Sequence, residues 1–356
     1  MAAAGFHRLT VADVQRETDD AVCVRFEVPA ELRDTFRFVQ GQYLTLRRDI
    51  DGEDVRRSYS ICSGVDDDAL EVAIKHIEGG RFSSYANAEL KAGDSLEVMP
   101  PDGRFSTELK ADNDHNYLCI AAGSGITPIL SILKSLLAGD PKAQATLLYG
   151  NRSAASTMFK EELEDLKNRH LTRLSLHPVF SREVVDSPLN AGRLDAAKVA
   201  SFLRLAGPVD EAFVCGPHAM NDEVEAALLA AGVPPERLHV ERFGIPPTAA
   251  DATLHAPKEG DATTARISIV RDGLTREVAF QPSDESILAA AARAGLDVPY
   301  SCRSGVCATC RAKLLEGRVR MDRNFALEQA DLDAGFVLTC QAHPLTDRVV
   351  VSFDER

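Results

Sequence analysis

The sequence predicts a multidomain chain of mixed α/β and β class: a small antiparallel barrel, then a parallel α/β domain, then a compact sheet-plus-helix domain. Three observations predict it. Short alternating segments broken by turns run from Ala21 to Gly103. From Tyr117 to Phe243 strands alternate with helices. Beyond a polar, proline-containing stretch, a last block carries Cys302, Cys307, Cys310 and Cys340. A length of 356 residues exceeds one ordinary core, since domains run to about 100 to 150 residues. The boundaries are set at 1–110, 111–245, a linker at 246–264, and 265–356.

In the first part, Val22, Val24, Phe26 and Val28 alternate with polar neighbours, and Tyr43 to Leu46, Ser58 to Cys62, Leu70 to His76 and Ser95 to Met99 read as further strands. On a strand through Arg57-Ser58-Tyr59-Ser60, Arg57 and Tyr59 share one face and Ser60 sits beside them. A guanidinium fork suits a pyrophosphate, a phenol ring stacks on a flat heterocycle, and a hydroxyl bonds a ring nitrogen. An exposed Arg beside a core Tyr is the plainer alternative. Gly79-Gly80-Arg81-Phe82-Ser83 then runs into a helix start, which is an anion site. Together the two stretches favour a dinucleotide phosphate.

The second part opens with Tyr117-Leu118-Cys119-Ile120-Ala121, a buried strand, and Gly123-Ser124-Gly125-Ile126-Thr127-Pro128 leads into a helix with Thr127 as cap and Pro128 first. Glycines there let a pyrophosphate approach the helix N-terminus, although such turns also hold glycine for steric reasons alone. Strands follow at Thr146 to Tyr149, Leu174 to His177 and Glu211 to Cys215, with helices near Phe159 to Asn168, Asp195 to Leu203 and His218 to Ala231. Cys215-Gly216-Pro217-His218-Ala219-Met220 is a second strand-to-helix loop, and Cys215 by itself reads as a small buried hydrophobe.

In the last part, Ile267 to Arg271 and Arg276 to Ala279 flank Asp272-Gly273, a hairpin signal, and Ser283 precedes an alanine-rich helix ending at Gly295. The cysteines follow as C-x4-C-x2-C and a distant fourth. Four thiolates must converge on two irons in a [2Fe–2S] cluster, and this spacing wraps three in one loop while a separate strand brings the fourth. Gly305 lets that loop turn tightly, and Ser301, Ser304, Ala308 and Thr309 are small enough for amides to reach sulfur. Structural zinc takes two short-spaced ligand pairs, whereas Cys340 stands alone. Disulfides need an oxidising compartment, and the N-terminal residues lack a signal peptide's apolar core.

The net charge of −14 argues against nucleic acid as a partner, because phosphate binding draws on clustered Lys and Arg. No apolar run approaches the ~20 residues that cross a bilayer, so no membrane contact and a cytoplasmic location are expected. Taken singly, His76, His177 and His343 read as structural or solvent-facing. No Ser-His-Asp or paired-carboxylate constellation asks for another chemistry.

The order of these motifs, with Glu241-Arg242-Phe243 closing the second part, resembles the ferredoxin-NADP reductase superfamily bearing a C-terminal plant-type ferredoxin domain. Within it, Tyr149-Gly150-Asn151-Arg152-Ser153, Gly192-Arg193-Leu194-Asp195, Met99 to Phe105 and Asn324 to Leu327 look most like phenylacetyl-CoA epoxidase reductase subunits. Reductases of steroid hydroxylases and hybrid-cluster proteins share much of the pattern.

The resemblance implies a flavin-binding barrel, a nucleotide-binding α/β domain and a β-grasp ferredoxin domain. It implies that Arg57 holds the FAD pyrophosphate, Tyr59 stacks on the flavin and Ser60 bonds near N5, with Ser58 alongside. Lys75, His76, Ile77 and Gly80, Arg81, Phe82, Ser83 and Ser84 would complete the FAD site. Gly123, Gly125, Thr127, Pro128, Gly216, Pro217 and Met220 would hold the nicotinamide dinucleotide, with Cys215 and Glu241 at hydride transfer and Phe243 over the other flavin face. In plant reductases the covering aromatic ends the polypeptide, whereas a linker follows Phe243.

A nicotinamide gives two electrons as hydride, a [2Fe–2S] cluster takes one at a time, and a flavin converts between them. Expected cofactors are therefore FAD, the cluster and NADPH, with NADH possible. Arg152, Ser153, Ser181 and Arg182 lie where strand ends meet an adenosine ribose, and arginine and serine there suit a 2′-phosphate; Glu183 counts against it. The expected partner is an oxygenase component, foremost the di-iron phenylacetyl-CoA epoxygenase. Another oxygenase or a hybrid-cluster protein, and a redox sensor without turnover, are the alternatives.

Overall fold

Alternation of inward apolar side chains builds six strands in the first part: β1 (His7–Thr18), β2 (Ala21–Glu27), β3 (Tyr43–Ile50), β4 (Glu53–Ser60), β5 (Leu70–Lys75) and, after α1 (Arg81–Ala88), β6 (Ser95–Val98). The computed structural model describes residues 5–110, 114–244 and 254–355. The strands pair in the order β4-β3-β6-β1-β2-β5, and a bridge from Ile61 to Val72 joins the end of β4 back to β5. The sheet thus closes on a core that includes Leu9, Val11, Leu44, Val72 and Phe82. Asp51 and Gly52 turn the β3–β4 hairpin with φ of 54° and 78°, the left-handed pair that such two-residue turns require. The expected strands start at Ala21 and leave out β1, the 12-residue strand at the centre of this sheet. Only Leu9, Val11 and Thr18 of β1 are buried, so its alternation is too weak to show.

The second part is a parallel sheet in the order β11-β10-β7-β8-β9. In chain order it comprises β7 (Asn116–Ala122), α2 (Ile126–Gly139), β8 (Gln144–Asn151), α3 (Lys160–Arg169), β9 (Leu174–Phe180), α4 (Ala196–Ala206), β10 (Glu211–Cys215), α5 (His218–Ala230) and β11 (Leu238–Glu241). The chain starts at β7, moves out through β8 and β9, and returns to β10 on the other side. The crevice beyond the carboxyl ends of β7 and β10 is therefore the switch point at which such sheets bind ligands. β11, unassigned from sequence, is a four-residue edge strand.

Barrel and α/β sheet share a core, since Ala21, Cys23, Cys62 and Ala73 pack with Tyr117, Ile126 and Leu130. Polar bonds cross the same junction: Val65 N–H to Ser135 Oγ at 3.0 Å, Phe159 N–H to Glu17 at 3.1 Å and Thr107 Oγ1 to Glu211 at 3.0 Å. Residues Phe6–Phe243 form one compact unit, and Gly244–Arg356 belong to another.

That second unit holds β12 (Ala265–Arg271), β13 (Leu274–Phe280), α6 (Ile287–Arg293), β14 (Arg311–Glu316), β15 (Val319–Met321), α7 (Gln329–Asp333), β16 (Phe336–Leu338), β17 (Ala342–Pro344) and β18 (Arg348–Ser352). Its main sheet runs β13-β12-β18-β14-β16, with β12 and β18 parallel, and β15 pairs separately with β17. Asp272 and Gly273 turn the predicted hairpin at φ of 53° and 70°. The alanine-rich helix is capped by Ser286, whose hydroxyl accepts from Ala289 N–H, rather than by Ser283.

Of the predicted linker 246–264, residues 246–253 lie outside the described residues. The remainder is pinned to the β15–β17 ribbon. The Asp322 carboxylate, fully shielded, takes bonds from His255 Nδ1 at 2.9 Å, His343 Nε2 at 2.6 Å and Lys258 Nζ at 3.3 Å. Arg320 binds Asp322 on one side, and Asp261 and the Ala256 carbonyl on the other. A composition typical of a tether thus hides an ion-pair anchor, because its charged residues find buried partners.

Candidate functional site

β10 lies parallel to β7 with Cys215 opposite Ala121, so the two glycine-bearing loops leave the sheet side by side. A Cβ on Gly125 would stand 2.0 Å from the Cys215 carbonyl oxygen, and only glycine allows this approach. Gly123 takes φ of +55° in a 3-10 turn before α2. The helix begins at Ile126, not with a Thr127 cap: Thr127 Oγ1 donates to Ser124 O at 3.0 Å inside the first turn, where Pro128 is also buried.

No side chain caps α1, α2 or α5. Elsewhere Asp195 closes α4, Ser286 closes α6, and Glu17 meets the Phe159 N–H ahead of α3. The starts of α1 and α5 therefore keep N–H groups and positive dipole ends available for an anion, whereas the Ile126 N–H that opens α2 already donates to the Gly123 and Ser124 carbonyls. Gly216 and Pro217 form the turn into α5, and Met220 is buried in its first turn.

On the barrel, Arg57 is exposed, Tyr59 is half-buried and Ser60 is buried at the end of β4. Ser58 Oγ bonds Thr45 Oγ1 at 3.0 Å on the opposite face. The Tyr59 ring lies 5.7 Å from that of Phe82, and burial holds its phenol far above the ordinary range. Two expected cofactor residues have their side chains engaged elsewhere. Phe82 is 1% exposed and belongs to the barrel core. Arg81 binds the Ile50 carbonyl at 2.6 Å together with Asp51 and Glu53, so its guanidinium secures the β3–β4 hairpin.

Ser83 Oγ accepts from Ile77 N–H at 3.1 Å and donates to Gly80 O. Ser84 Oγ lies 3.3 Å from His76 Nε2. His76 and Ser84 line an open cavity of 370 Å³ with Arg16, Asp20 and Asn87. Lys75 reaches Asp20 at 3.0 Å, while Ile77 is exposed.

The barrel and the α/β sheet meet at the residues assigned to hydride transfer. Ser60 Oγ donates to Glu241 Oε2 at 3.2 Å, and Glu241 sits opposite Cys215 in the β10–β11 register. Burial pushes the Glu241 carboxyl up to about 8, against the lowering effect of Ser60. Cys215 is fully buried, which drives its thiol well above the ordinary range, with the Glu241 carboxyl adding to the rise. Both shifts favour the protonated, uncharged forms of the two groups. Phe243, two residues on, is 44% exposed.

Sequence reasoning missed Asn221, fully buried on α5, whose Nδ2 donates to the Glu241 carbonyl at 2.9 Å while its Oδ1 has no protein partner among the described residues. Its signal was a polar residue directly after the Cys215–Met220 loop.

At the ends of β8 and β9 the structure brings the four predicted ribose residues together. Ser181 N–H donates to Asn151 O at 3.0 Å and Arg182 N–H to Arg152 O at 2.9 Å. Ser153 is half-buried beside them. Arg152 is paired with Asp20 at 3.0 Å, and the Glu183 carboxylate accepts from Ala154 N–H at 2.7 Å. The loop thus holds an acid that the strand-end reading had placed only beside Arg182.

In the second unit, Arg303, Gly305 and Ala308 adopt φ of 56°, 81° and 54°, a left-handed series that curls the loop around its cysteines. Ser304 N–H donates to Cys302 Sγ at 3.4 Å. Thr339, just after β16, bonds Cys310 O through both its N–H at 3.2 Å and its hydroxyl at 2.9 Å, which carries Cys340 to the loop. The thiols stand in two pairs. A hydrogen bond from Cys307 holds Cys302 down at about 5 and raises Cys307, and the Cys340 bond with burial raises Cys310. All four are unbridged. Two pairs of thiols in a loop with inward amides fit two irons with two thiolates each.

The comparisons with known proteins find three domain families along the chain. Residues 8–107 match the oxidoreductase FAD-binding domain, 119–226 the oxidoreductase NAD-binding domain and 269–345 the 2Fe-2S iron-sulfur cluster binding domain. The chain is a flavin- and nicotinamide-dependent oxidoreductase with an iron-sulfur domain of its own. It is 48% identical over 357 residues to a 1,2-phenylacetyl-CoA epoxidase subunit of Escherichia coli (strain K12), covering 99% of this chain and 98% of that one. It is 37% identical to the "3-ketosteroid-9-alpha-monooxygenase, ferredoxin reductase component" of Rhodococcus rhodochrous, covering 97% and 96%. Phthalate dioxygenase reductase, 24% identical with a TM-score of 0.60 over 98% of both chains, shares the fold. The chain belongs to the ferredoxin-NADP reductase superfamily of oxygenase reductases with a C-terminal plant-type [2Fe–2S] domain. Among the described residues no helix is long and apolar enough to cross a membrane.

Proposed function

We propose that this protein is the reductase component of a phenylacetyl-CoA epoxidase, passing electrons from NADPH through FAD and its [2Fe–2S] cluster to a di-iron oxygenase component in the cytoplasm. The observation that carries the reading is the 48% identity to the bacterial epoxidase component across nearly the whole of both chains. When bound, the flavin takes two electrons as hydride and the cluster moves them singly.

The chain's own residues bind and orient. Arg57 offers its fork to the FAD pyrophosphate, with the uncapped start of α1 as a second anion site, and Tyr59 gives the flavin a flat platform. The loops at Gly123–Pro128 and Cys215–Pro217 hold the nicotinamide dinucleotide. Ser60 and protonated Glu241 set the polarity where barrel and sheet meet. Arg182 and Arg152, with Ser153 and Ser181, receive the 2′-phosphate of NADPH. Cys302, Cys307, Cys310 and Cys340 hold the irons. The domain limits are taken at 110/111 and 245/246, with the linker at 246–264 and the last domain from 265.

A second reading, service to a steroid monooxygenase, draws on the 37% identity to the 3-ketosteroid enzyme's reductase. The deciding experiment mixes the reduced protein with purified oxygenase components and asks which sustains coupled substrate oxidation. Turnover with the phenylacetyl-CoA component supports the first reading, and turnover with the steroid component alone replaces it. Failure to reduce cytochrome c with NADPH or NADH would leave the sensor alternative.

A further inference from the structure

Gln341 follows the fourth cysteine and is fully buried. Its Nε2 lies 2.9 Å from Arg303 O, 3.1 Å from Cys340 O and 3.6 Å from Cys340 Sγ. Three acceptors around one atom fix the amide orientation, because the opposite flip would set oxygen against two carbonyls and a sulfur. The other side-chain atom, Oε1, has no partner among the described residues. The backbone is held too: Gln341 N–H donates to Leu338 O at 2.9 Å, and Asp322 N–H donates to Gln341 O at 3.0 Å. A Cβ on Gly305 would stand 3.3 Å from Gln341 Cγ, so the side chain also packs against the loop bearing Cys302 and Cys307.

We propose that Gln341 is a positioning residue that raises the reduction potential of the cluster, by donating an N–H···S hydrogen bond to the ligand sulfur of Cys340 and tying it to the ligand loop at Arg303. An N–H dipole aimed at a ligand sulfur stabilises the negative charge that the added electron brings, so the reduced state gains more than the oxidised one. In a water-excluded pocket the effect is little screened. The inference rests on Cys340 being a ligand.

The test uses the full-length holoprotein. Gln341→Met keeps the side-chain volume and removes the donor. It is expected to retain iron and sulfide, to show a more negative midpoint in an EPR-monitored redox titration, and to reduce cytochrome c more slowly with unchanged ferricyanide reduction. A wild-type midpoint in an iron-replete Q341M protein overturns the proposal. Should Q341M lose its iron, the wild type decides: with glutamine 15N-labelled at the side-chain amide, pulsed EPR of the reduced cluster should show coupling to that nitrogen. Absence of the coupling overturns it. A wild-type protein that binds no cluster would overturn the ligand assignment instead, a distinct result.

Discussion

The hydroxyl of Ser60, at the end of a barrel strand, donates to the carboxyl of Glu241, at the end of the last strand of the parallel sheet, across 3.2 Å. The two are 181 residues apart in sequence. Their meeting places the barrel's tyrosine-serine motif against the strand ends that carry Cys215 and Glu241.

Burial raises Glu241 to about 8, so the folded protein favours the protonated form. Its stabilising preference is complete below the ordinary carboxyl range and is lost as pH rises from about 4.5 to about 8. Ionisation above pH 8 would set a negative charge beside the site proposed for hydride transfer. NADPH-dependent ferricyanide reduction should therefore fall as pH rises through about 8, and Glu241→Gln should abolish that inflexion. An unchanged pH profile in the variant would remove Glu241 from this role.

Arg152 is already paired with Asp20, whereas no ion pair is found for Arg182 among the described residues. Arg182→Ala should thus raise the KM for NADPH well above that for NADH, by about 1.5 to 3 kcal/mol of lost charge-assisted bonding. Arg152→Ala should do less. Equal effects on both coenzymes, or a wild type that prefers NADH, would refute the 2′-phosphate assignment.

Cys307→Ser removes one of the four thiolates proposed to hold the irons. The visible absorption of the cluster and cytochrome c reduction should both disappear, while ferricyanide reduction persists, since that acceptor draws on the flavin. Full cluster absorption in the variant would end the assignment.

Because Phe6–Phe243 form a compact unit, a fragment ending near Gly244 should bind FAD and oxidise NADPH with ferricyanide, yet fail with cytochrome c. A fragment that does not retain FAD would show the boundary to be misplaced.

Asp322→Asn would leave Arg320, Lys258 and the two histidines without their shielded carboxylate. A loss of about 1 to 3 kcal/mol is expected for donors left short of a partner. Thermal unfolding followed at the cluster's absorption should show it, with the flavin's transition unmoved.

The sequence by itself determined the three kinds of domain, the cysteine spacing and the two glycine loops, because each is written in local chemistry. Period-two alternation, strand-to-helix punctuation and the C-x4-C-x2-C spacing need no distant partner to be read. Even Asp272-Gly273 carried its own turn type, which the structure realises with both residues at positive φ.

Tertiary structure decided what depends on residues far apart in the chain. β1 became a central strand only because β2 and β6 flank it. The Phe82 and Arg81 side chains turned away from the start of α1 because a core and a hairpin claimed them. Asp20 claimed Arg152 from 132 residues away. Residues 255–262, tether-like in composition, were anchored by the Asp322 carboxylate. Burial and pairing are properties of the neighbours a side chain acquires, and those neighbours are fixed by packing rather than by local sequence.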